Sequence, residues 1–171
     1  MLKLSGKSMV ISLLGAVLSS AVVNPASAQS LAPLELYWSP QREDNFSTVV
    51  GGNSAIEAGY SYVRVEACVF RTKQSGTVPL DLYWQAQRGD NFTPSTRTGV
   101  EDARRAGYLF ARTEGYVYPN RREGTVPLKL YWSSSRGDNF STATSTGIQS
   151  AINAGYVFVR TQGYVYPANR C

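Results

Sequence analysis

The stretch PLELYWSPQREDNFST (Pro33–Thr48) decides how this chain is read, because it is written three times. It returns as PLDLYWQAQRGDNFTP (Pro79–Pro94) and as PLKLYWSSSRGDNFST (Pro127–Thr142). Each copy passes through Ala-Gly-Tyr, at Ala58-Gly59-Tyr60, Ala106-Gly107-Tyr108 and Ala154-Gly155-Tyr156. Each then ends in a second aromatic segment: VRVEACVF, ARTEGYVYP or VRTQGYVYP. The repeats run 33–78, 79–126 and 127–171, a period of 46 to 48 residues that marks a repeat architecture.

Within a unit the periodicity is that of strands. Leu34, Leu36 and Trp38 alternate with Glu35 and Tyr37, the period-two pattern of a half-buried strand. The position of Glu35 holds Asp81 and Lys129 in the other copies, and a site that accepts either charge faces water. In a regular strand Tyr37, Tyr83 and Tyr131 share that wet face, and the tryptophans share the leucines' core face. A second short strand is expected at Asn-Phe-Ser/Thr. A small helix follows, where Ile148, Ala151 and Ile152 have i, i+3, i+4 spacing and Gly155 stands as a C-terminal glycine. Two more strands, around 156–161 and 164–166, are expected with Gln162-Gly163 as a tight turn between them.

Four short strands per unit give about twelve in all, and units this small bury a core only by packing on one another. The expected fold is all-β, a threefold pseudo-symmetric β-trefoil-like domain with a short helix in each repeat. A small propeller-like closed ring is the alternative.

Residues 1–28 read as a signal peptide: Lys3 and Lys7 precede an apolar run from Met9 to Val23, and Ala26-Ser27-Ala28 supplies the cleavage pattern. Cleavage after Ala28 leaves residues 29–171 as a single secreted domain with no membrane span. Without the leader's two lysines, the formal net charge of +5 shrinks to +3, and no basic block remains to favour nucleic acid. An exported chain with two cysteines is expected to form one disulfide, Cys68–Cys171.

The chain contains no histidine, which removes the usual general base, metal ligand and pH switch together. With only two thiols besides, no metal or other cofactor is expected. Each repeat has one recurrent aspartate, whereas glycoside hydrolysis needs two carboxylates flanking one bond. The chain therefore reads as a non-enzyme.

The order PLxLYW, GDNF, AGY, EGYVYP and GTVP resembles a poorly characterised repeat family of secreted bacterial and fungal proteins. That family is usually written PLYRYW…GDHFYT…GY…EGYVY…GTVPLYR. The resemblance covers all three repeats and implies a carbohydrate- or surface-binding accessory role. It breaks at Asn45, Asn91 and Asn139, where the family often carries histidine.

The expected ligand site is the turn after the first strand. Arg42, Asp44 and Asn45, with Arg88, Asp90 and Asn91 and with Arg136, Asp138 and Asn139, set a guanidinium, a carboxylate and an amide beside Tyr37, Tyr83 or Tyr131. Sugar hydroxyls pair with such groups, and a pyranose C–H face packs on an aromatic ring. The competing reading is that Asp and Asn are there as turn formers, with Arg–Asp a local pair. Arg-Gly-Asp occurs twice, but Arg42-Glu43-Asp44 in the first copy makes the tripeptide a by-product of turn chemistry. Each Asn-Phe-Ser/Thr also matches a glycosylation acceptor.

Three functions stay in play. The first is a lectin-like module for a glycan or cell-surface polysaccharide. The second is a trefoil-type protease inhibitor or protein-binding module acting on a secreted partner, with Asn120–Gly124 as the inserting loop. The third is a structural envelope or matrix protein.

Overall fold

The computed structural model describes residues 30–171, so the signal-peptide reading lies outside the described residues. The fold is predominantly β, and each repeat contributes three strands and one helix. Unit 1 comprises β1 (Leu31–Ser39), β2 (Asp44–Thr48), α1 (Gly52–Glu57) and β3 (Ser61–Phe70). Unit 2 comprises β4 (Val78–Gln85), β5 (Asp90–Phe92), α2 (Arg97–Arg105) and β6 (Leu109–Val117). Unit 3 comprises β7 (Val126–Ser133), β8 (Asp138–Thr142), α3 (Ser145–Asn153) and β9 (Val157–Val165).

In every unit the first strand lies between the other two, antiparallel to both. Units 1 and 2 share one sheet in the order β2-β1-β3-β6-β4-β5, and unit 3 forms the sheet β8-β7-β9. Neither sheet closes on itself. The units nevertheless touch in cyclic order where their third strands end. Phe70 pairs with Tyr116, Tyr118 with Tyr164, and Tyr166 with Cys68.

The expectation of four strands per unit is corrected to three. Gln162 and Gly163 lie inside β9 rather than in a turn, and the register shifts between Leu128 and Lys129 on the facing strand. An irregularity in the ladder absorbs the extra residue, so the chain continues as one strand. Glycine is needed there for close approach: a Cβ on Gly163 would stand 2.8 Å from Val117 Cγ2 and 2.9 Å from the Tyr118 carbonyl oxygen.

The helix endings follow the sequence. In α3 the Thr144 side chain accepts from the Gly147 N–H at 3.0 Å, capping the first turn. At the other end Gly155 takes φ 79°. Its N–H reaches the Ile152 carbonyl while the Tyr156 N–H reaches that of Ala151, a Schellman ending. Ala151 is buried and Ile148 partly so, but Ile152 is exposed, because the helix seats only a narrow stripe on the sheet.

The central core takes residues from all three units: Leu34, Ala67 and Val69; Leu80 and Val117; Leu128 and Val165. Three satellite clusters each borrow one leucine from a neighbouring unit. Leu82 packs with Tyr37, Phe46 and Tyr60 of unit 1; Leu130 with Tyr83, Phe92 and Tyr108 of unit 2; Leu36 with Tyr131, Phe140 and Tyr156 of unit 3. A single unit therefore cannot complete its own hydrophobic cluster.

The expected crosslink is present. Cys68 and Cys171 are bonded, with Cα atoms 5.6 Å apart and a sequence separation of 103. It joins β3 to the residues following the short helical turn Ala168–Arg170. Among the described residues no helix is long and apolar enough to cross a membrane.

Candidate functional site: three clefts between units

Opposite the first strand of each unit the third strand carries an extra residue at this point. Leu36 pairs with Arg64 and Tyr37 with Tyr62, so Val63 is passed over, as are Ala111 and Val159 in the other units. The first strand itself pairs with the second without a slip, so its alternation holds. Tyr37, Tyr83 and Tyr131, expected at the surface, are nevertheless only 4%, 2% and 4% exposed. The tryptophans, expected in the core, are partly exposed instead. The faces are those alternation gives, but their cover differs: Tyr37 packs with Phe46, Ala55 and Tyr60, and Trp38 lines a cleft between units. The Tyr37 hydroxyl donates to Glu35, two residues back on the same face, at 2.8 Å. Burial and that carboxylate push its ionisation up to about 12.

The turn residues divide into two groups. Asp44, Asp90 and Asp138 are buried, each with a carboxylate oxygen within 4.8 Å of the others. Each accepts two hydrogen bonds from the asparagine of another unit. Asp44 takes the Asn91 backbone N–H at 3.0 Å and its Nδ2 at 2.8 Å; Asp90 takes those of Asn139 at 3.2 and 3.0 Å; Asp138 takes those of Asn45 at 3.0 and 2.7 Å. Tyr60, Tyr108 and Tyr156 donate to the aspartate of their own unit through short bonds, and each accepts from the same Nδ2. The aspartates thus form a buried three-way joint between units.

Three carboxylates this close and this buried cannot all ionise. Burial, followed by the neighbouring carboxylates, raises Asp90 to about 10. Burial and the Asp44 charge raise Asp138 to about 7. Tyr60, Tyr108 and Tyr156 are also raised, first by burial and then by the aspartate each one contacts.

The arginines lie outside this joint and reach towards the following unit. Arg42 stands 5.8 Å from the Tyr60 ring centre and 5.9 Å from that of Trp84. Arg88 lies 6.0 Å from Tyr108 and 5.9 Å from Trp132, and Arg136 lies 5.3 Å from Tyr156 and 6.0 Å from Trp38. Each guanidinium is bracketed by a tyrosine of its own unit and a tryptophan of another. Beside each of these brackets opens a cleft. The unit 3–unit 1 cleft is lined by Trp38, Asn45, Arg136, Phe140 and Tyr156. The unit 1–unit 2 cleft is lined by the equivalent Trp84, Asn91, Arg42, Phe46 and Tyr60, and the unit 2–unit 3 cleft by Trp132, Asn139, Arg88, Phe92 and Tyr108.

No family model, curated protein or solved structure matches the chain. Each asparagine donates both amide hydrogens to its aspartate and tyrosine, so the carbonyl oxygen is what it offers a ligand. Those engaged amides are also the nitrogens of the three Asn-Phe-Ser/Thr acceptor patterns.

The Arg-Gly-Asp turn has a backbone origin. Gly89 and Gly137 adopt φ 67° and 71°, and Glu43 holds the same left-handed conformation at φ 53°. Two further buried acids lie on the third strands of units 1 and 2. Arg64 pairs with buried Glu66 at 2.6 Å and Arg112 with buried Glu114 at 2.7 Å. Glu66 accepts from Thr142 of unit 3, and Glu114 from Thr48 of unit 1. Where the third copy has Gln162, Arg160 turns to Asp102 of unit 2.

Proposed function

We propose that this protein is a secreted, non-catalytic, lectin-like module that holds a glycan or cell-surface polysaccharide in the clefts between its units. The frame is read as β-trefoil-like, three units about one axis, with cyclic contacts at the Asp–Asn joint and at the ends of the third strands. The observation that carries the proposal is the repeated grouping of a partly exposed tryptophan, a stacked arginine and an asparagine carbonyl in one cleft. An indole presents the flat apolar surface on which a pyranose packs, while arginine donates and asparagine accepts along the ring's edge. Sites repeated on one rigid body gain avidity on a polymer.

Relative to the turn site read from sequence, the arginines and asparagines stay, while Trp38, Trp84 and Trp132 replace Tyr37, Tyr83 and Tyr131 as the stacking surface. The test is a glycan array probed with the wild-type chain and with Trp38→Ala, Trp84→Ala and Trp132→Ala combined. Loss of every glycan signal in a variant that keeps its melting temperature supports the proposal. Undiminished binding contradicts it.

A protein-binding module is the second reading, favoured by a separate feature. Tyr62, Phe110 and Phe158 lie at equivalent places on the third strands and are each more than half exposed, with Leu109 beside Phe110 at 75%. The loop Asn120–Gly124 is exposed as well.

A further inference from the structure

The three clefts share one plan but are not alike. The unit 1–unit 2 cleft encloses roughly 340 Å³, against roughly 150 and 170 Å³ for the other two. Small-molecule sites generally begin near 300 Å³, so this cleft alone among the three reaches that size.

Particular residues produce the difference. Ala111 lines this cleft, whereas the equivalent positions hold the larger Val63 and Val159. Arg112 lines it too, while Arg64 and Arg160 are not among the residues lining the other two clefts. Arg160 is drawn aside by Asp102, and unit 1 has Ser54 at the position of Asp102. In the unit 3–unit 1 cleft Arg136 is engaged by the backbone, its Nη1 donating to the Ala154 carbonyl at 2.9 Å.

The large cleft therefore presents two guanidiniums, Arg42 and Arg112, with no carboxylate among its lining residues. The unit 2–unit 3 cleft has the Asp102 carboxylate in its wall. Arg42 takes part in no salt bridge to the protein; Arg112 pairs with Glu114 through Nη2 at 2.7 Å, and its buried Nε has no acceptor. Planar guanidiniums are suited to oxyanions, which they bind through paired N–H donors.

We propose that the unit 1–unit 2 cleft is the principal ligand site, and that its ligand is an acidic saccharide. The sugar ring lies against Trp84, and its carboxylate or sulfate is held by Arg42 and Arg112. The inference rests on the saccharide reading above and narrows it to one cleft and one charge class.

Calorimetric titration with tetragalacturonate, a sulfated heparin tetrasaccharide and neutral maltotetraose tests it. At least one acidic probe is expected to bind with a stoichiometry of one, at least tenfold more tightly than maltotetraose. Ala111→Val and Ser54→Asp each install a residue that another unit carries at that position, and each is expected to weaken binding at least tenfold with the melting temperature retained. Arg42→Gln, on an exposed side chain, is expected to remove the preference for acid. Should either cleft variant fail to fold, Arg42→Gln and the stoichiometry still decide the matter. Three bound ligands per chain, or an affinity untouched by all three substitutions, would overturn the single-cleft inference while leaving the saccharide reading standing. Tighter binding of maltotetraose would overturn the acidic class. Failure of every saccharide to bind would overturn the reading on which the inference rests.

Discussion

The buried aspartate joint makes folding stability depend on pH in an unusual direction. Asp90 and Asp138 hold their protons far above the ordinary carboxyl value of 3.8, to about 10 and about 7. A folded value raised above the unfolded one contributes stability that is complete below pH 3.8 and is lost as pH rises through the folded value. Between pH 5 and 7 the unfolded chain has released both protons, while the folded chain retains at least the one on Asp90. Each retained proton lowers stability by about 1.4 kcal/mol per pH unit, so one proton gives a fall of about 3 kcal/mol across that interval. For a domain of this size, that corresponds to a melting temperature lower by about 10 °C at pH 7 than at pH 5.

The chain has no histidine to mimic the slope. Calorimetric or urea unfolding at half-unit pH steps from 5 to 8 measures it. Asp90→Asn removes one titrating group and flattens the slope by about one proton's worth, about 1.4 kcal/mol per pH unit. Stability that is level or rising from pH 5 to 7 in the wild-type chain would refute the shared-proton joint.

Two further stability predictions follow from named residues. Reducing Cys68–Cys171 reopens a loop spanning 103 positions. The chain-entropy account puts its contribution at about 4–5 kcal/mol, so melting in excess dithiothreitol should fall by more than 10 °C, with intact mass recording two added hydrogens. Glu43→Gly relieves a left-handed residue at φ 53° and matches Gly89 and Gly137 of the other turns. It should stabilise the fold by about 1 kcal/mol in urea titrations, and a loss of stability would show that the conformation carries no strain.

Much of the fold could be read in the sequence because it is repeated: the all-β class, three units, one helix per unit, the Ala-Gly-Tyr helix ending and the disulfide. What escaped was which faces other parts of the chain cover, and one irregularity with no residue signature. Tyr37 and Trp38 are adjacent aromatics, and a regular strand sends one to each face. Alternation with the leucines chose Trp38 for the core, but the Tyr37 face is covered by Phe46, Ala55 and Tyr60, while Trp38 lines a cleft between units. A register shift opposite Leu128 and Lys129 turned Gln162-Gly163 from an expected turn into strand. The arginine and asparagine positions of the site were legible as a repeated turn. Their partners were not, since Arg42 meets Trp84 and Asn45 meets Asp138 across unit boundaries. The difference between clefts was visible only as scattered substitutions, Ala111 against Val63 and Val159, and Asp102 against Ser54 and Ser150. These acquire meaning once the units are placed side by side.

Each unit has one tryptophan, and each tryptophan lines a different cleft. The three indole N–H resonances in a ¹H–¹⁵N spectrum therefore report the clefts separately. Titration with tetragalacturonate and the sulfated tetrasaccharide is predicted to move the Trp84 resonance first and furthest. Saturable binding that leaves all three indole resonances in place would contradict the claim that these clefts hold the ligand.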